Sequence, residues 1–286
     1  MSTPAPARDE IVIEPTRGLR AFAWRDLWAY RDLLWLLVWR DFATRYKQTI
    51  LGPLWFVFQP VITTAIFAVV FGGFAKIPTA GVPAMLFYNC GLVPWGYFAQ
   101  TFQSTSTTLV TNAALFGKVY FPRLVVPLAG AISNLLAFVI QFATFLAIYA
   151  VYKFRPEAAT FGFQWDVVLL PFALLHVAAL SFGIGLWLAA LTAKFRDFTI
   201  LGGFFVQLWL YATPVIYPLS QVPEKWRLLV ALNPMTMPVE CFRHALLGAG
   251  TPSAPLLGLS VLVTVVLLVG GLAIFQRVEK NFVDVI

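Results

Sequence analysis

The sequence predicts an all-α integral membrane protein with six transmembrane helices, and three observations carry that prediction. Hydrophobic residues make up 60% of the chain and charged residues only 12%, where a soluble domain carries roughly 25% charged residues. Long stretches hold no Lys, Arg, Asp, Glu or His at all, among them Ile77 to Gly117 and Leu124 to Tyr152. The cations sit mostly just outside such stretches, where they orient a membrane protein. Too few polar residues remain to coat a soluble core of this size, so the solvent is lipid.

Crossing ~30 Å of hydrocarbon takes ~20 apolar residues in a helix. Uncharged runs meet that length near 51–75, 84–112, 122–152, 167–192, 198–217 and 255–276. Six crossings place both termini on one side. Of the 20 Lys and Arg, Lys76, Lys153, Arg155, Lys225, Arg227 and Arg243 then fall on one face and the other fourteen on the opposite face. The richer face, with both termini, is assigned to the cytoplasm.

Three segments are not expected to span. Residues 1–20, with Asp9, Glu10, Glu14 and several Pro, lack the apolar centre of a signal peptide and read as a flexible cytoplasmic tail. Residues 21–50 hold Trp24, Trp28, Trp35, Trp39 and Tyr46 among basic residues, around an apolar run, Leu33 to Trp39, too short to cross. That pattern predicts an amphipathic helix lying in the inner interface, the alternative being a solvated cytoplasmic helix. Residues 218–250 are cut by Pro223, Pro234 and Pro238 into two short apolar helical pieces. They are expected to enter the outer half of the membrane as a re-entrant pair, an ordinary outer loop being the alternative. Residues 51–286 form one transmembrane domain on this reading.

The composition also excludes functions. The net charge of +7 is spread along the chain, so no nucleic-acid surface is implied. Cys90 and Cys241 fit neither a disulfide framework nor a metal site. The proposed spans hold no Asp, Glu, Lys or Arg in their interiors and a single His, His176. Ion-coupled transport and intramembrane hydrolysis need ionisable groups at membrane depth, and His176 alone is expected to be a hydrogen-bonded packing residue. No G-x-x-x-x-G-K-[ST] phosphate loop is present. The chain is therefore expected to be no enzyme and to carry no cofactor, and energy for any uphill movement comes from another polypeptide.

Four blocks resemble a known family: "RDFATRYKQTILGPLWFVFQP" (40–60), "GLVPWGYF" (91–98), "NAALFGKVYFPR" (112–123) and "FQRVEKNFVDVI" (275–286). Together they are similar to the membrane subunit of ABC exporters for bacterial surface polysaccharides, nearest to O-antigen permeases, with teichoic-acid permeases as cousins. The resemblance implies the architecture of type-2 ABC exporter permeases in the bacterial inner membrane, as a homodimer. Two separate ATPase subunits would carry ATP and Mg. The implied cargo is an undecaprenyl-pyrophosphate-linked polysaccharide such as O-antigen. The rivals are a teichoic-acid permease, a drug or small-lipid exporter, a membrane-embedded transferase on a lipid-linked sugar (which the missing carboxylate cluster argues against) and a structural anchor without transport.

The family places a cytoplasmic coupling helix where Asn112–Arg123 sits. On that reading Phe116, Tyr120 and Phe121 enter a groove on the ATPase, Pro122 starts the next span, and Lys118 and Arg123 hold the element at the headgroups. A plain positive-inside loop is the alternative. "AKFRDF" (193–198) is a secondary contact candidate. At 100° per residue, Phe56, Thr63, Phe67 and Phe74 share one helical face, and Phe198, Gly202, Phe205 and Trp209 share another. The family lines its conduit with these two spans, so both stripes are candidates for the sugar path. With 27 Phe, 10 Trp and 9 Tyr in the chain, ordinary packing is the competing account. Arg40, Arg45 and Lys47 are candidates for holding the lipid-linked pyrophosphate, or else any anionic lipid. The Ser/Thr-rich "TFQSTSTTLVTN" (101–112) and the Gly pairs at 183/185, 202/203 and 270/271 are read as helix-packing devices.

Overall fold

A computed structural model of the chain describes residues 24–45, 52–118, 121–154, 161–195 and 197–281. The described residues form helices and connecting turns, without a strand. In chain order the α-helices are α1 (Trp24–Ala29), α2 (Arg31–Thr44), α3 (Trp55–Phe67), α4 (Ala84–Ser106), α5 (Thr108–Thr111), α6 (Ala113–Phe116) and α7 (Val125–Lys153). They continue with α8 (Leu170–Lys194), α9 (Asp197–Ala212), α10 (Glu224–Leu232), α11 (Thr236–Leu247) and α12 (Ala254–Asn281).

Helix α4 is the hub. It packs on α7, α8 and α3 along its length and on α11 at its outer end, while α12 packs on the far side of α8. In lipid no hydrophobic effect drives helix against helix, so close contact and dispersion must hold the bundle. Glycine makes those contacts possible. A Cβ on Gly183 would stand 2.7 Å from the Cα of Leu268, and one on Gly185 would stand 2.7 Å from the Cβ of Thr105. The α8–α12 and α8–α4 crossings therefore require these two glycines, as the sequence reading expected. His176 bridges the first crossing, its Nε2 lying 2.8 Å from Thr264 Oγ1 and 3.2 Å from Ser260 Oγ. It is a packing residue, with every partner on α12.

Helix α2 buries Leu37 and Val38 against the start of α7 and leaves Trp35, Leu36 and Trp39 exposed, as α1 leaves Trp28. Helix α3 contains Pro60 and runs into a π-helical turn, Ala68–Phe74. It closes onto α4 through Lys76, Ala80 and Gly81, all at positive φ. Helices α10 and α11 are separated at Asn233–Pro234, the break that proline imposes on a helix. Most of α11 is buried, whereas α10 exposes Trp226, Leu228, Leu229 and Leu232.

Among the described residues four helical segments are long and apolar enough to cross a membrane: Trp55–Phe74, Val125–Lys153, Trp165–Lys194 and Ala254–Glu279. Two of the six expected spans fall short of that standard. Helix α9 has only 16 residues. Helix α4 has 23, but its sequence is diluted by Asn89, Gln100, Gln103 and a run of hydroxyls.

Candidate coupling surface and substrate path

The inner break is built from two short helices. Asn112 ends α5, its Nδ2 donating to Thr108 O at 3.1 Å and to Thr111 Oγ1 at 3.1 Å, and α6 starts beside it. Phe116 and Phe121 turn inward. Their ring centroids are 5.9 Å apart, and both rings are buried in a cluster with Leu37, Val38, Leu109, Val125, Leu186 and Phe275. Arg123 covers this pair, its guanidinium carbon 5.7 Å from the Phe116 centroid. Its Nη1 donates to Glu279 O at 2.6 Å and its backbone N–H to Glu279 Oε1 at 3.0 Å. Arg123 thus ties the break to the end of α12. Pro122 is half-buried. The outward face is Val110, Thr111, Ala114, Gly117 and Lys118. Two of the rings expected to meet a partner therefore belong to the chain's own core. Tyr120 lies outside the described residues.

The two aromatic stripes behave differently. On α3, Phe56 is buried and stacks on Phe42 at 5.5 Å, and Phe67 joins Phe71 and Tyr88 at 5.2 and 6.3 Å. Thr63 is half-buried and Phe74 is 82% exposed. Along this stripe the setting thus runs from buried at Phe56 to exposed at Phe74. On α9, Phe198, Gly202 and Phe205 line a cleft of 270 Å³ with Phe102 of α4 and Ile184, Trp187, Leu188 and Leu191 of α8. Trp209 continues that face, 4.8 Å from Phe205 and 4.9 Å from Phe98 between centroids. Its Nε1 donates to Asn233 Oδ1 at 2.9 Å. The helical arithmetic is right for α9, and the face it picks out is turned toward α4 and α8.

Of the basic candidates, Arg40 is held by its neighbour Asp41, with Nη2 to Oδ1 at 2.8 Å. Arg45 reaches across the bundle. Its Nη2 donates to Asn134 Oδ1 at 2.5 Å and its Nη1 to Gln100 Oε1 at 3.4 Å. Asn134 in turn donates to Ser104 Oγ at 3.1 Å and to Thr101 Oγ1 at 3.3 Å. Lys47 lies outside the described residues. The Ser/Thr-rich stretch does mostly what packing hydroxyls do: Ser106 and Thr107 bond to Gln103 O within their own helix, and Thr192 bonds to Ser106 O across helices.

Sequence reasoning counted Arg243 among the outer cations and missed its setting. The residue is 0% exposed. Its two terminal nitrogens donate to the carbonyls of Pro214, Val215 and Tyr217, and Nη1 lies 3.5 Å from Glu240 Oε1. The guanidinium carbon lies 3.9 Å from the Phe87 centroid, and Gly91 leaves the space it occupies. Glu240 Oε2 accepts from the backbone N–H of Thr251 at 2.8 Å. The signal was present as Glu240 and Arg243 at helical i, i+3 spacing within "VECFRH", between apolar neighbours.

The hub helix α4, the break before α7 and the α10–α11 pair all lie within residues 32–247, over which the chain matches the family model of the ABC-2 type transporter. The chain belongs to the ABC-2 type transporter family. Its relatives extend the match to nearly full length. This ABC-2 transporter chain is 30% identical to the O-antigen export system permease protein RfbA of Myxococcus xanthus, over 91% of this chain and 97% of that one. It is 26% identical to the protein of the same name from Klebsiella pneumoniae, over 89% and 95%. The polysialic acid transport protein KpsM of Escherichia coli is 24% identical, over 84% and 91%. In this family member, α12 lies beyond the family match.

Proposed function

We propose that this chain is the transmembrane subunit of an ATP-driven exporter that moves an undecaprenyl-pyrophosphate-linked polysaccharide of the O-antigen class across the bacterial inner membrane. The observation that carries the proposal is the near full-length likeness to O-antigen export permeases. The chemistry of the chain supports it. Helices α3, α4, α7, α8, α9 and α12 are the six spans, with both termini cytoplasmic, and their interiors hold no acidic or basic residue except His176. Energy must then come from two ATPase subunits that bind ATP and Mg. Two copies of this chain form the membrane part, α1 and α2 lie in the inner interface, and α10 and α11 are the re-entrant pair in the outer half.

Docking of the ATPase is assigned to the outward face of α5 and α6, at Val110, Thr111, Ala114 and Lys118, with Phe116 and Phe121 as the wedge behind it. The α9 face of Phe198, Phe205 and Trp209 is the aromatic wall of the sugar path, with Phe56, Thr63, Phe67 and Phe74 contributing from α3. Arg45, with Arg40 and Lys47, is the site proposed for the lipid-linked pyrophosphate, because guanidinium groups suit phosphate oxygens.

Deleting the gene in its host should abolish surface O-antigen while leaving the lipid-linked polymer inside the cell, and the intact gene should restore it. Unchanged surface polysaccharide in the deletion strain overturns the proposal. The likeness to KpsM supports a capsular polymer as the second reading, which the same strain tests by loss of capsule with O-antigen retained.

A further inference from the structure

The amides of α4 fall on one meridian. At 100° per residue, Gln100, Gln103 and Thr107 lie within 60° of one another, and Asn89 projects along the same line three turns toward the outer end. From Gln100 to Thr107 this is also the accessible side of the helix, whereas at Asn89 and Val93 the same line is buried. Gln100, Gln103 and Thr107 are partly exposed, whereas Phe98, Phe102, Thr105 and Leu109 on the other side are buried.

The amides on this side are short of partners. Gln103 makes no side-chain hydrogen bond among the described residues, and Gln100 uses only its oxygen, accepting from Arg45. Gln141 of α7 comes up to Gly96 on the same side, its Oε1 3.4 Å from where a Cβ would be, and it too makes no side-chain bond among the described residues. Asn89 is 1% exposed, and neither its Oδ1 nor its Nδ2 has a partner among them. A carboxamide held in an apolar medium without partners costs several kcal/mol. The lipid-facing surface of α7, by contrast, is Leu136, Val139 and Leu146. A row of free amides on the hub helix is thus misplaced for lipid and suited to hydroxyls. The cleft between α4 and α9 opens beside it, with Gln103 Oε1 3.9 Å from the position of a Gly202 Cβ.

We infer that this stripe is a hydrated binding track for a neutral, hydroxyl-rich chain, a carbohydrate, with Arg45 at its cytoplasmic end. Each carboxamide donates and accepts at once, matching a hydroxyl that does the same. The stripe itself has no fixed charge, so each contact is weak enough to be exchanged as the polymer advances. The identity of the polymer rests on the polysaccharide reading above; the wetness of the face does not.

The test uses the permease co-expressed with its ATPase partner. Single cysteines at Gln100, Gln103 and Thr107 are exposed to an impermeant thiol reagent from the cytoplasmic side, with Val139→Cys and Leu146→Cys as lipid-facing references. The stripe should label at least about tenfold faster than the references, because thiolate forms only where water reaches the sulfur. In the second arm, Gln100→Leu/Gln103→Leu should lower surface polysaccharide by about fivefold or more, while Val139→Ala, outside the stripe, stays close to wild type. Labelling no faster than the references overturns the track whatever the cargo is. Wild-type export by the Leu pair overturns its role in binding. Fast labelling in a strain whose deletion loses no surface glycan sinks the cargo assignment instead.

Discussion

Arg243 lies 0% exposed between α4, α11 and the turn after α9, and a guanidinium stays protonated in proteins. Burial pulls its pKa below the ordinary value, and the Glu240 carboxylate opposes that pull. A buried charge is tolerated only when paired and hydrogen-bonded, and here three backbone carbonyls and one carboxylate hold the two terminal nitrogens, while Nε has no partner among the described residues. Arg243→Ala should cost about 3–5 kcal/mol, the usual cost of leaving a buried partner alone. Arg243→Lys should cost nearly as much, because one ammonium lacks the planar fork that spans Pro214, Val215 and Tyr217. Thermal unfolding in detergent measures both, and a wild-type midpoint for Arg243→Ala refutes the account. Its neighbour Cys241 gives a test by pH. Burial, with the Glu240 and Asp166 carboxylates adding to it, pushes that thiol up to about 11. A raised acid pKa keeps the unreactive thiol form at neutral pH, so labelling of Cys241 should be slow at pH 7 to 9 and rise only as pH approaches the shifted value. Rapid labelling at pH 7 contradicts it. None of this was legible from counting charges, because a cation in an outer segment looks the same in sequence whether it meets water or carbonyls.

Between Asn112 and Pro122 the sequence located a break between two long helices but not the way its rings face. Two aromatics beside two cations suggest rings available to a partner. The structure turns Phe116 and Phe121 inward because α2, α7, α8 and α12 all converge there, leaving an apolar hole that only large side chains fill. Which face of a four-residue helix points outward is decided by its neighbours, and four residues carry too little periodicity to reveal it. The consequence separates two kinds of variant. Phe116→Ala/Phe121→Ala should lower thermal stability, at about 3–5 kcal/mol for each ring lost from a packed site. Ala114→Arg, on the outward face, should leave stability intact and weaken co-purification with the ATPase by tenfold or more, about 1.4 kcal/mol. If the aromatic pair loses the partner without losing stability, the assignment of faces is reversed. The Gly pairs, in contrast, were readable at once, except that Gly203 meets open space. Gly183 and Gly185 sit where α12 and α4 come closest to α8, and small residues in a span have few other uses.

Taken as a whole, the molecule follows the rule that in lipid only satisfied helices survive, and that is why composition alone revealed the class. The number of crossings was harder, since α4 gives up apolarity to its amides and α9 gives up length. Topology can be tested directly. Single cysteines at Ser2 and Asp284 should be shielded from impermeant reagents in intact cells and one at Glu224 should react; labelling of either terminus from outside reverses the orientation. One further property follows from how α9 is held. Its outer end is pinned, with Asn233 bonded to Trp209, Ala212 O and Thr213 Oγ1, and the carbonyls just beyond it are gripped by Arg243. Along its inner length only Gly202 is buried. Such a rod should move as a hinged lever, with its fulcrum at the Trp209–Thr213 end and its free arm toward Asp197. Small rotations at the fulcrum sweep the inner end through the greatest arc, so a spin label at Ile200 should report a broader distance distribution to α7 than one at Leu210. Equal widths at the two positions remove the hinge.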